Sequence, residues 1–118
     1  MKVPYAERAF VDMNKLIGYC LNPQHSRGRH KARVFAAALG LTAEAAAELR
    51  DALLAAVCSC ESAPAEVDQY GQRYTVDFLL RRGRQAAKIR SAWIILHEED
   101  YPKLISCYVM REQDDEAT

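Results

Sequence analysis

The chain has 118 residues, half of them hydrophobic, with 16 Lys and Arg balanced by 16 Asp and Glu. That length fits one domain with one core, and the composition excludes the disordered and fibrous classes. A net charge of zero excludes a protein that is basic throughout, so any hold on a polyanion must come from where the charges sit.

Their placement is uneven. No acid lies between Asp12 and Glu44, a stretch that carries Lys15, Arg27, Arg29, Lys31 and Arg33. Residues 81–90 hold Arg81, Arg82, Arg84, Lys88 and Arg90, again without an acid. Two such runs predict a local positive field, the plainer alternative being two solvated faces. No segment approaches the roughly 18 apolar residues of a membrane span, and no apolar run suits a leader, so a soluble cytoplasmic protein is expected. Cys20, Cys58, Cys60 and Cys107 form no Cys-x-x-Cys pair. Reduced buried thiols are expected, with a zinc site built from thiols and a histidine as the alternative.

In chain order, residues 3–11 read as a short extended segment. Asp12 or Asn14 can cap a short helix through Leu16, Ile17, Cys20 and Leu21, and Asn22-Pro23 ends it because the residue before proline is pushed out of the helical region. A polar loop leads to Gly28. A second helix runs from about Arg29 to Leu39 with Val34, Phe35, Ala38 and Leu39 on its apolar face, and Gly40 is a C-cap glycine by position. Thr42 caps a third helix that extends to about Val57, with Leu49, Leu53 and Val57 in one stripe. Cys58 to Asp68 reads as a loop.

From Arg73 the period changes to two. Tyr74, Val76, Phe78 and Leu80 mark a first strand, and Arg81-Arg82-Gly83-Arg84 marks a hairpin turn. Gln85–Leu96 is a second strand, residues 97–102 a polar connection and Lys103–Met110 a third strand. The acidic tail, 111–118, is expected to fray. The whole reads as one α+β domain over 1–118. N-terminal helices (about 12–58) pack on a C-terminal antiparallel meander of at least three strands (about 73–110).

A simple register about the 97–102 connection sets Ser91 opposite Tyr108 and Trp93 opposite Ser106. It gathers hydroxyls and aromatics on one face, where they can stack a base and bond a phosphate. His30, at a cationic helix start, is the first candidate for a general acid or base, and His25 the second. Lys31, Arg29 and Arg33 are candidate phosphate ligands. Metal-free RNA cleavage, in which the 2′-hydroxyl attacks, needs a base, an acid and cations, and these residues offer all three. The chain has no P-loop, Gly-x-Gly-x-x-Gly, Gly-x-Ser-x-Gly or His-Glu-x-x-His, so neither a cofactor nor a catalytic metal is expected.

Three blocks of residues are familiar together. The first is Lys15-Leu16, Tyr19, Leu21-Asn22-Pro23, His25, Gly28, His30–Phe35 and Ala38-Leu39-Gly40. The second is Tyr70–Asp77, and the third is Ser91-Ala92-Trp93 with Pro102–Tyr108. In this ordered set the chain resembles an uncharacterised bacterial domain family, found as small stand-alone proteins and at the C-termini of polymorphic or contact-dependent inhibition toxins. The resemblance implies a toxin-like domain related to the barnase, EndoU, colicin and RelE group of metal-independent ribonucleases. By position it implies His30, Lys31, Ser91, Ser106 and Tyr108 as polar site residues; taken with the residue reading above, His30, Lys31, Ser91 and Tyr108 are the expected catalytic set, and His25, Arg29, Arg33, Trp93 and Ser106 are expected to bind substrate. It also implies RNA as substrate and a small acidic antitoxin or immunity protein as partner. The first expectation is thus a cytoplasmic endoribonuclease. A non-catalytic RNA- or protein-binding module is the second, and an antitoxin-like partner protein the third.

Overall fold

Alternating apolar residues in the C-terminal half build the sheet on which everything else rests. In the computed structural model, which describes residues 1–111, four strands run β1 (Ser62–Val67), β2 (Gly71–Arg82), β3 (Gln85–Leu96) and β4 (Lys103–Val109). They form an antiparallel meander in that spatial order. Val76 and Phe78 of β2, Ile89 and Trp93 of β3, and Leu104, Cys107 and Val109 of β4 are buried in one cluster with helical side chains. The helices supply Phe35 and Leu39 from α2 (Arg29–Leu39), and Leu49, Leu53 and Val57 from α3 (Ala46–Ser59). The expected α+β class is the observed one, helices on one face of the sheet.

Local chemistry explains the helix ends. The Asp12 carboxylate accepts the backbone N–H of Asn14 at 2.9 Å and caps α1 (Met13–Lys15). The chain continues as a π-helical turn over Leu16–Cys20, whose wider winding changes the direction in which Tyr19 and Cys20 leave the backbone. Gly40 closes α2 with φ 61°, a left-handed position that glycine takes without strain. Arg82 of β2 donates to the carbonyls of Leu39 (3.2 Å) and Gly40 (2.9 Å) and meets Glu48 of α3 at 3.1 Å. A cation on the last carbonyls of a helix satisfies acceptors that have no intrahelical partner and complements the helix dipole. Arg90 likewise pairs with Asp77 across β2 and β3 through two bonds of 2.9 Å. Arg82 and Arg90 of the second basic run are therefore spent on contacts within the fold.

Several expectations change. Residues 62–67, read as loop, form an edge strand, where the missing N–H of Pro64 is tolerated. Thr42 makes no side-chain cap; α3 is entered through a 3-10 turn, Ala43–Ala45. The N-terminal segment is a 3-10 turn (Ala6–Arg8) plus one parallel bridge, Phe10 to Lys103. The expected fraying of the acidic tail beyond Arg111 lies outside the described residues.

The register of β3 and β4 also differs from expectation. Ser91 pairs with Cys107, not Tyr108, and Trp93 pairs with Leu104, not Ser106; the expected register is shifted on both sides of a β4 bulge that lies between these pairs. One extra residue returns Cys107 to the buried face alongside Leu104, which an apolar core favours over an inward tyrosine and an outward thiol. Ser91 is fully buried, donates to the Val76 carbonyl (2.8 Å) and accepts the Trp93 indole N–H (2.9 Å). Ser91→Ala should therefore leave that indole N–H unpaired in the core. The expected cost is about 1–3 kcal/mol, read as a lower urea midpoint at unchanged slope. An unchanged midpoint would show that the serine is not needed there.

Candidate functional site

Asp12 caps α1, Lys15 ends it and Tyr19 lies in the π-turn that follows, and all three line one side of the same cleft. The loop over residues 22–28 folds back on this face. Asn22 Oδ1 accepts the backbone N–H of Gln24 (2.9 Å), and Asn22 Nδ2 donates to the Gly18 carbonyl (3.3 Å). His25 Nδ1 accepts two backbone N–H groups, from Arg27 and Gly28, each at 3.0 Å. These bonds orient the ring and leave the proton of the neutral imidazole on Nε2. The ring meets Tyr19 edge-on, with centroids 4.9 Å apart. At Gly28 an added Cβ would sit 2.1 Å from the Tyr19 carbonyl oxygen, so only glycine lets the loop approach the helix this closely.

From α2, Lys31 reaches over the Tyr19 ring (5.0 Å to the centroid) and donates to its hydroxyl at 3.0 Å. The tyrosine oxygen accepts this bond and keeps its own proton to donate outward. From β4, Ser106 completes the wall. The result is a cleft of about 560 Å³ whose polar lining includes Asp12, Lys15, Tyr19, His25, Arg27 and Ser106. Lys15 and Arg27 make no ion pair among the described residues, so their charge is available to a ligand.

Beneath the cleft two thiols meet. Cys20 Sγ lies 3.8 Å from Ser106 Oγ, and both Cys20 and Cys107 are fully buried. The Cys107 S–H held against Cys20 pulls the Cys20 thiol well below its ordinary range. Burial opposes this, while the Cys107 N–H, Ser106 and Lys31 add to it. The same contact with Cys20, together with burial, pushes Cys107 well above its ordinary range. Between the lowered Cys20 value and the ordinary thiol value of about 8.5, the native state has lost a proton that the unfolded chain keeps, so stability rises with pH. Above that value the unfolded chain ionises a thiol that native Cys107 retains, and stability falls. Urea midpoints of wild type minus Cys20→Ser should rise and then fall with pH; a flat difference would dissolve the thiol pair.

The residues expected to form the site are spread over separate environments. Ser91 and Trp93 are in the core, each at 0% exposure, where Trp93 packs and neither can meet a substrate. Tyr108 pairs with Arg90, next to Asp77, on the outward face. His30 is exposed on α2, two positions from buried Ala32, on a helix that packs against the other face. His30, Ser91 and Tyr108 therefore share no cleft. The structure does bring together His25, Lys31 and Ser106, while Arg29 and Arg33 border a neighbouring groove. Asp12, Lys15 and Tyr19 were missed as site residues, although their helical spacing beside the cationic loop is visible in the sequence.

Among the described residues, no three His, Cys, Asp or Glu side chains are placed to hold a metal ion, and the four cysteines are free. Nor is any helix there long and apolar enough to cross a membrane. The fold and cleft define a small α+β domain with a cationic, imidazole-bearing surface site. The chain belongs to the family described as a domain of unknown function (DUF6883), which it matches over residues 2–111. Comparison with curated proteins and with solved structures gave no match.

Proposed function

We propose that this domain is a toxin-like, metal-independent endoribonuclease working in the cleft between Tyr19 and His25. The observation that carries this reading is the pairing of an oriented imidazole with a lysine-supported tyrosine, in a cleft that also holds Lys15, Arg27 and Ser106. An RNA phosphate suits the cations, and each group then has a task. The Asp12 carboxylate takes the proton of the 2′-hydroxyl, whose oxygen attacks the adjacent phosphorus. The bond from phosphorus to the 5′-oxygen breaks, and the Tyr19 hydroxyl supplies the proton that this oxygen needs. Lys31 stabilises the phenolate left behind. His25 donates from Nε2, and with Lys15, Arg27 and Ser106 it stabilises the phosphorane charge. The products are a 2′,3′-cyclic phosphate and a 5′-hydroxyl.

In this reading the protein acts in the cytoplasm, where RNA is, and a small acidic protein that covers Lys15 and Arg27 is its neutralising partner. The site rests on His25 in place of His30, because His25 faces the tyrosine and His30 faces solvent.

The test is cleavage of total RNA in the presence of chelator, with the ends identified chemically. Wild type should yield cyclic phosphate ends. Tyr19→Phe and His25→Ala should each slow cleavage by roughly 10²–10⁴-fold, while His30→Ala leaves it unchanged. Cleavage that survives both cleft variants, or none above background, overturns the reading. Salt-sensitive RNA binding without turnover would instead assign the domain to the second class, a non-catalytic RNA-binding module.

A further inference from the structure

Next to the cleft lies a second cavity that the proposed chemistry does not use. It is a groove of about 630 Å³ with an apolar floor that includes Leu21, Pro23, Ala32 and Ala36. Arg29 and Arg33 stand on one side, one helical turn apart on α2, and Glu44 stands at the other. Both arginines are exposed, and neither side chain makes an ion pair or a hydrogen bond among the described residues. This contrasts with Arg82 and Arg90, which the fold consumes. The segment from Tyr19 to Arg29 forms a shared wall: Tyr19, His25 and Arg27 line the cleft, and Leu21, Pro23 and Arg29 line the groove. A chain of phosphates crossing this wall would pass from Lys15 and Arg27 to Arg29 and Arg33.

We propose that the groove is a subsite for a nucleotide flanking the reacting phosphate of single-stranded RNA. The inference rests on the cleft as the RNA site, but not on cleavage. Guanidinium groups one turn apart suit a phosphodiester, which they bind through charge-assisted bonds. The apolar floor suits the face of a base or sugar, a contact that only an unstacked strand can offer. A paired duplex presents its phosphates to the arginines and leaves the floor empty. Glu44 sets the direction: its carboxylate repels phosphate and accepts from an exocyclic amine. The phosphate therefore lies on the α2 side, with an amino-bearing base toward Glu44.

The experiment measures binding apart from turnover. Fluorescence anisotropy in chelator would use short, labelled single strands with 2′-O-methyl sugars, which cannot be cut by 2′-hydroxyl attack. The proteins are wild type, the Arg29→Gln/Arg33→Gln double variant and Lys15→Gln/Arg27→Gln, each checked for folding by circular dichroism. Loss of Arg29 and Arg33 should weaken single-strand binding by about ten-fold or more at low salt, and should reduce the salt slope by about 0.7 for each phosphate no longer neutralised. A matched duplex should bind more weakly than the single strand to wild type and gain nothing from the floor. An oligouridylate should bind more weakly than an oligoadenylate, with Glu44→Gln narrowing the gap. If the double variant binds the single strand as wild type does, the groove proposal fails, whether or not the protein cleaves natural RNA. If it binds weakly while wild type cleaves nothing, the groove stands and the cleavage reading falls.

Discussion

The extra residue in β4 between Leu104 and Cys107 governs how the two halves of the molecule meet. Without it, a strand with Leu104 beneath Trp93 would turn Ser106 into the core and Cys107 outward. With it, both apolar residues stay inward, and Ser106 is delivered to the strand edge beside Cys20. Bulges recur where a strand must re-aim a side chain, and this one aims a hydroxyl into the cleft. The α1 segment answers with a device of the same kind, a π-turn that presents Tyr19 and Cys20 together. Two one-residue irregularities, one in a helix and one in a strand, face each other across the site.

The loop over residues 22–28 is held from within as well as from outside. Asn22 closes it by bonding Gln24 and Gly18, and His25 closes it again by accepting two backbone N–H groups. The imidazole is thus part of the loop's own scaffold, and its free nitrogen is its only outlet. A group fixed in this way loses little entropy when it meets a charge, which is the requirement for an electrostatic stabiliser. Gly28 adds the steric half of the arrangement, since its backbone rests on Tyr19.

The sequence disclosed the fold far better than the site. Helix α2 and strand β3 lie where apolar periodicity puts them, because both bury one clean face. The edge strand was hidden, since Ser-Ala-Pro-Ala-Glu-Val has no alternation to show when all but its first residue are exposed. The expected site residues fail to converge for one reason above all. A register off by one pair reverses every side chain beyond it, so Ser91 was assigned to a working surface when it belongs to the core. Similarly, a run of cations reads the same whether it faces solvent or caps a helix. Only the partners of Arg82 and Arg90 separate the second run from the first.

The contact of Arg82 with Leu39, Gly40 and Glu48 has a mechanical consequence. One guanidinium from the tip of the β2–β3 hairpin grips the last carbonyls of α2 and the first turn of α3. Helix α2 is one bank of the arginine-lined groove, and Thr42 with the 3-10 turn that leads into α3 is the other, so the spacing of the two helices bears on its width. The hairpin tip is therefore a strut: any force that lifts it slackens the joint between the helices and widens the groove from a distance. A ligand that draws the banks together would, by the same linkage, stiffen a hairpin it never touches.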